Sequence, residues 1–151
     1  MKERRIPAIK DGTVIDHIPS RDTFRIIRIL NPQEFKYPIN LALNLDSKKI
    51  SSKGVIKIDS TFLTQSEVNK IAILAPNATV SIIKNYKTTE KIQVKLPEEL
   101  VGVLNCTNPV CITSKEIVIS KFKVLRKKPL EVKCHYCERV YGKDEVEIKR
   151  K

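Results

Sequence analysis

Glycine is scarce in this chain. There are four in 151 residues, with no tryptophan, one methionine, two histidines and only 5% aromatics. Each shortage removes a class of function. A phosphate-cradling loop needs clustered glycines so that backbone N–H groups can close on the phosphates, and no such cluster exists. His17 and His135 stand far apart in the chain. No Ser-His-Asp or paired-carboxylate arrangement accompanies them, so the usual proton-handling machinery of an enzyme is missing. No apolar run approaches the roughly 20 residues that a membrane span needs. The segment Met1-Lys2-Glu3-Arg4-Arg5 is charged where a secretory leader would be apolar. A cytoplasmic location is therefore expected, with no membrane partner, and its reducing environment favours metal-bound cysteines over disulfides.

What is present is aliphatic and basic. A hydrophobic fraction of 41% is enough for a packed core, and with so few aromatics that core must be built from Ile, Leu and Val. The net charge is +12, divided as +8 over residues 1–97 and +4 over residues 98–151. Such a chain attracts anions: nucleotides, nucleic acids or acidic protein surfaces. The basic runs are short (residues 2–5, Arg126-Lys127-Lys128 and 149–151) and lack the interleaved aromatics of a nucleic-acid stripe. They read as solvated surface. A nucleic-acid-binding zinc protein is the alternative reading.

The first part alternates strands and helices. Residues 13–18 form a β-branched strand stopped by Pro19. Ser20 is placed to cap a helix with Phe24, Ile27 and Leu30 facing inward, ended by Asn31-Pro32. Residues 39–45 alternate as a half-buried strand, and 54–58 make the next. Thr64-Gln65-Ser66-Glu67 is a capping box, opening a helix that buries Val68, Ile71, Ala72 and Leu74. Residues 79–83 and 91–95 are the last strands. The order β-α-β-β-α-β plus one strand predicts an α+β fold of the ferredoxin-like kind, with both helices on one face of a single sheet. The bare face invites a second copy, so a homodimer is expected.

After Leu96-Pro97 the texture changes, which sets domains at 1–97 and 98–151. The second contains all four cysteines and only short β-rich pieces, at 117–119, 122–125 and 130–133. A piece this small commonly needs a staple. Cys106-x4-Cys111 and Cys134-x2-Cys137 are two turns whose thiolates can meet on one tetrahedral metal, so a structural zinc ion in a small all-β domain is the reading. Disulfides or free cysteines are the alternative. A redox Cys-x-x-Cys lacks its βαβ setting. His135 could substitute for one ligand, but four cysteines already close the tetrahedron, which also leaves no open position for a catalytic metal. In the first domain Asp16 and His17 at the close of one strand, Lys53 and Lys57 at another, and Lys84, Asn85, Tyr86, Lys87 and Lys91 around the final hairpin form a group suited to phosphate and ribose. Ordinary strand-surface lysines and a turn-bonding aspartate are the bland version of the same residues.

Gly12-Thr13-Val14-Ile15-Asp16-His17-Ile18-Pro19, Leu43-Asn44-Leu45, Ile56-Lys57-Ile58, Thr61-Phe62-Leu63, Ala75-Pro76-Asn77-Ala78-Thr79-Val80 and Asn85-Tyr86 occur in that order. Together with the Cys106–Cys111 spacing and Cys134-His135-Tyr136-Cys137-Glu138, they resemble the regulatory chain of aspartate carbamoyltransferase. The resemblance implies a non-catalytic chain that dimerises through its first domain. It implies that CTP, ATP or UTP binds there, and that the zinc domains bridge catalytic trimers. Carried over, the nucleotide site comprises Ala8, Ile9, Asp16, His17, Lys53, Lys57, Ser81, Ile83, Tyr86 and Lys91. Asn108, Glu138 and Arg139 match positions facing the catalytic chain. Pro7, Ser81 and Thr88 depart from the family's residues near the nucleotide, and Val110 departs at the catalytic-chain contact.

Overall fold

The computed structural model describes residues 6–48 and 50–149. The basic runs at 2–5 and 150–151 lie outside the described residues. The chain divides into two compact units, Met1–Lys95 and Leu96–Lys151.

In the first unit, β1 (Gly12–Pro19) leads through α1 (Thr23–Ile29) to a hairpin of β2 (Ile39–Asp46) and β3 (Ser52–Asp59). α2 (Gln65–Leu74) then leads to the hairpin of β4 (Thr79–Lys84) and β5 (Lys87–Gln93). One sheet results, ordered β2-β3-β1-β4-β5, with every neighbouring pair antiparallel. The strand period of two sorts the side chains by face. Thr13 and Ile15 of β1, Ile56 and Ile58 of β3 and Val80 of β4 are buried, along with Ile26, Ile27 and Leu30 of the first helical segment and Val68, Ile71, Ala72 and Leu74 of α2.

Local chemistry explains most of these elements. Thr64 accepts from the Glu67 N–H while the Glu67 carboxylate accepts from the Thr64 N–H, a complete capping box at the start of α2. Asn31 takes a left-handed conformation just before Pro32, which ends the first helical segment. Two expectations change. Ser20 does not cap α1, which has Asp22 at that position with no side-chain capping bond. The Ser20 hydroxyl instead contacts Ser52 Oγ at 2.7 Å and accepts from the Asn44 N–H at 3.0 Å, joining the end of β1 to the β2–β3 hairpin. Phe24 does not face inward but is 54% exposed. The helix is rotated because Thr23, fully buried, lies against Gly54 of β3, where an added Cβ would collide with the Thr23 hydroxyl.

The second unit is built of short strands: β6 (Glu99–Val101), β7 (Leu104–Asn105), β8 (Lys121–Lys127), β9 (Leu130–Cys134), β10 (Val140–Gly142) and β11 (Glu147–Ile148). They form a four-stranded sheet, β10-β9-β8-β6, and a two-stranded one, β11-β7. Leu100, Phe122, Val132, Cys134 and Tyr141 are buried, and Phe122 meets Tyr141 edge-on at 6.0 Å. The expected strand at 117–119 does not form. Ile117 is fully exposed and Ile119 is 68% exposed, because no neighbouring strand offers this segment a ladder.

Candidate functional site

A cleft of about 390 Å³ opens in the first unit, lined by Ile6, Val14, Asp16, Leu45, Val55, Lys57, Ser81, Ile83 and Thr88. The register builds it. Lys57 pairs across to Val14, Val14 to Ser81, and Ser81 to Lys91. These four residues stand in one row across four strands. Three strand spacings, about 14–15 Å, therefore separate the two lysines. A cationic group thus sits at each end of a row whose middle is a small apolar side chain and a hydroxyl.

A bulge shapes one edge. The β1–β3 pairing shifts between Ile15 and Ile18, and His17 has φ of 60°. The His17 N–H donates to Asp16 Oδ1 at 2.6 Å, and its ring Nδ1 contacts Thr79 Oγ1 at 3.1 Å. Lys53 Nζ lies 3.0 Å from Asp16 Oδ1 and 3.2 Å from Oδ2. Lys57 Nζ donates to the Pro7 carbonyl at 3.1 Å and the Ile6 carbonyl at 3.5 Å, tying the segment before β1 to the cleft. The Tyr86 N–H donates to the Lys10 carbonyl at 2.8 Å, while the Tyr86 ring is 64% exposed.

Of the nucleotide residues read from the sequence, Asp16, Lys57, Ser81 and Ile83 line the cleft. Lys53 joins it through Asp16, and Lys91 joins it by register. Ala8, Ile9, His17 and Tyr86 are not among its lining residues. Ile6, Val14, Leu45 and Val55 line it and were missed. Alternation from Asp16 and Lys57 would have found Val14 and Val55, which lie two residues away on the same strands.

In the second unit the four cysteine sulfurs all lie within 4.8 Å of one another. Cys106 and Cys137 are 3.6 Å apart, and Cys111 and Cys134 are 3.8 Å apart. A disulfide needs about 2.0 Å, so these are free thiols brought together as a set of four. The backbone and side chains around each one point N–H or O–H groups at sulfur. The Asn108 backbone serves Cys106 and its side chain serves Cys137. Thr113 donates its hydroxyl to Cys111 at 3.2 Å. Tyr136 and Cys137 backbone groups serve Cys134, and the Arg139 backbone serves Cys137.

These surroundings split the acidities. Burial pushes the Cys134 thiol up to about 12. Burial also opposes ionisation of Cys137, but hydrogen bonds from the Arg139 backbone and the Asn108 side chain outweigh it and bring this thiol down to about 7. Burial raises Cys106, whereas Thr113 wins over burial at Cys111 and lowers it. A set of four sulfur ligands with bonded second partners fits a metal ion in a closed coordination shell. His135 is exposed and lies against Tyr136, with ring centroids 5.1 Å apart.

Two family descriptions match the two units. Residues 4–95 match the allosteric domain of the aspartate carbamoyltransferase regulatory chain, and residues 98–147 match its metal-binding domain. The chain belongs to the aspartate carbamoyltransferase regulatory chain family. It is similar to the regulatory chain of Pyrococcus horikoshii, 48% identical over 148 residues and covering 97% of both chains. That of Thermoplasma acidophilum is 48% identical over 147 residues, covering 96% of this chain and 97% of the relative. That of Bacteroides thetaiotaomicron is 42% identical over 144 residues, covering 95% and 94%. As a regulatory chain it is a non-catalytic subunit with an allosteric domain and a metal-binding domain. The cleft lies in the allosteric domain, and the cysteine cluster lies in the metal-binding domain.

Proposed function

We propose that this chain confers nucleotide control on an aspartate carbamoyltransferase catalytic chain. CTP, ATP or UTP binds in the cleft of the first unit. Lys57 and Asp16 read base and ribose, and Lys91 faces the phosphates with His17 and Lys53 beside them. The row Lys57–Val14–Ser81–Lys91 is the observation that carries this reading. A cleft of about 390 Å³ is within the size range of small-molecule sites. The strand order with its two helical crossovers supports a ferredoxin-like sheet. Pairing through the first unit makes the chain a homodimer. The domains are 1–97 for nucleotides and 98–151 for docking.

The metal is zinc. Tetrahedral Zn–S bonds of about 2.3 Å put sulfurs roughly 3.8 Å apart, and the pairs Cys106–Cys137 and Cys111–Cys134 are at 3.6 and 3.8 Å. With four sulfurs bound, the ion has no open position and its role is structural. It holds the turns that carry Asn108, Glu138 and Arg139 against the catalytic chain. Nucleotides act only by binding two quaternary states with different affinity.

The test is an aspartate saturation curve of the catalytic trimer, with and without this chain, each with and without CTP. CTP is expected to shift the curve only when the chain is present. A chain that neither co-elutes with the trimer nor alters its curve overturns the reading. Within it, Lys57→Ala removes the cation at one end of the row and is expected to weaken CTP binding by about tenfold or more, since a charge-assisted hydrogen bond contributes roughly 1.5–3 kcal/mol. Titration calorimetry giving wild-type affinity would remove Lys57 from the site.

A further inference from the structure

Tyr141 is the buried one of the four tyrosines, at 3% exposed. A buried phenol needs a partner for its hydroxyl. Here the partner is a cysteine sulfur: Tyr141 Oη lies 3.2 Å from Cys106 Sγ. The ring is held in place on several sides. Phe122 meets it edge-on, and the Arg139 guanidinium lies 5.5 Å from its centre. The backbone of Tyr141 pairs with Val132 in the middle of β10. The Thr107 side chain lies beside the same hydroxyl. It can donate to the phenol oxygen, which leaves the phenol proton for sulfur.

The bond also crosses the unit. Cys106 follows β7 of the two-stranded sheet, whereas Tyr141 belongs to the four-stranded sheet and to the same β9–β10 hairpin as Cys134 and Cys137. Thr113 serves Cys111 from two residues away, but Tyr141 reaches Cys106 across 35 positions of sequence. Cys106 is only half-buried, and its own turn supplies the Asn108 backbone. Four thiolates outweigh a divalent ion by two negative charges. Each donor aimed at a partly buried sulfur offsets some of that surplus. A metal-bound thiolate has no proton, so between Tyr141 and Cys106 the phenol donates.

We propose that Tyr141 is a positioning residue of the metal centre. Its hydroxyl donates to the Cys106 thiolate, draws the first cysteine turn onto the β9–β10 hairpin and lowers the electron donation of this sulfur to the ion. The inference rests on the four-sulfur metal reading above and deepens it.

The experiment loads the full chain with cobalt, whose sulfur-to-metal charge-transfer band reports electron density on the thiolates. Tyr141→Phe removes one oxygen and keeps the ring that Phe122 and Arg139 hold. Tyr136→Phe is the control, because its hydroxyl donates to the Ile119 carbonyl at 2.9 Å and not to sulfur. The Tyr141→Phe band is expected at lower energy than wild type, and its zinc affinity against a competing chelator about tenfold weaker. The control is expected to match wild type in both. A wild-type band in Tyr141→Phe overturns the proposal even where zinc affinity falls, since lost packing alone weakens binding without changing the sulfur electrons. If that variant does not fold, the wild type decides. Loaded with NMR-active cadmium, its Tyr141 hydroxyl proton is expected to exchange slowly with water and to couple to the metal nucleus through Cys106. Fast exchange without coupling overturns the proposal. A wild-type cobalt spectrum without four-sulfur character overturns the metal reading itself, and this inference with it.

Discussion

Asn108 touches both halves of the cysteine cluster, through its backbone to Cys106 and its side chain to Cys137. It also accepts the Val110 N–H at 3.2 Å on Oδ1 and the Cys111 N–H at 3.0 Å on its carbonyl. Removing a group that orients a metal ligand commonly costs 10–100-fold in metal affinity. Asn108→Ala is therefore expected to lose zinc to a chromogenic chelator at about 10–100-fold lower chelator concentration than wild type. Equal retention would mean that the backbone bonds alone hold the first turn. Gly54 makes the opposite kind of demand, for space. With Thr23 fully buried against it, Gly54→Ala forces an overpacked contact that typically costs about 1–3 kcal/mol. A urea midpoint equal to wild type would show that α1 can move aside freely. The same contact explains what the sequence hid. Phe24, Ile27 and Leu30 have helical spacing, but the true phase buries Thr23, Ile26, Ile27 and Leu30, because one missing side chain on a distant strand chooses the face.

At the scale of elements, those with strong local chemistry were legible. β1, the β2–β3 hairpin and the α2 capping box depend on β-branched alternation and a reciprocal pair of hydrogen bonds. The four cysteines were legible because two short spacings on turns already describe a cluster. The sequence pattern marks β5 only from residue 91, but the strand begins at Lys87, since Lys87-Thr88-Thr89-Glu90 is polar and owes its strand to the β4 ladder. The reverse holds at 117–119, which is β-branched but has no partner strand and forms none. No local rule reports the presence of a neighbour. The two cysteine turns also set a pH dependence. Thiolates are the ligands, so protons compete with the metal. Cys137, lowered to about 7, is largely ionised above that value and protonated below it. As pH falls through 7 one more proton must be displaced for each ion bound, so metal retention is favoured above and lost below. Zinc per chain, measured after dialysis against a weak chelator, is expected to stay near one at pH 8 and to fall at pH 5.5. An equal content at both values would contradict this assignment of the ligands.

For the whole molecule, the division of labour follows from where the two sites lie. Every residue lining the larger cleft belongs to the unit that ends at Lys95, and every cysteine of the cluster to the unit that begins at Leu96. Each unit has its own buried core. Their stability should then be separable: the larger unit owes nothing to the metal, while the smaller, with few strands and a modest core, gains folding free energy from metal binding. Stripping zinc with a strong chelator is therefore expected to release the chain from catalytic trimers while leaving its affinity for CTP within about twofold. Sedimentation reads the first effect and calorimetry the second. If the assembly survives without metal, the docking role of the small unit is wrong. If CTP affinity collapses together with the metal, the two units are one cooperative body, and control would run through shared folding instead of through two packed arrangements of separately stable parts.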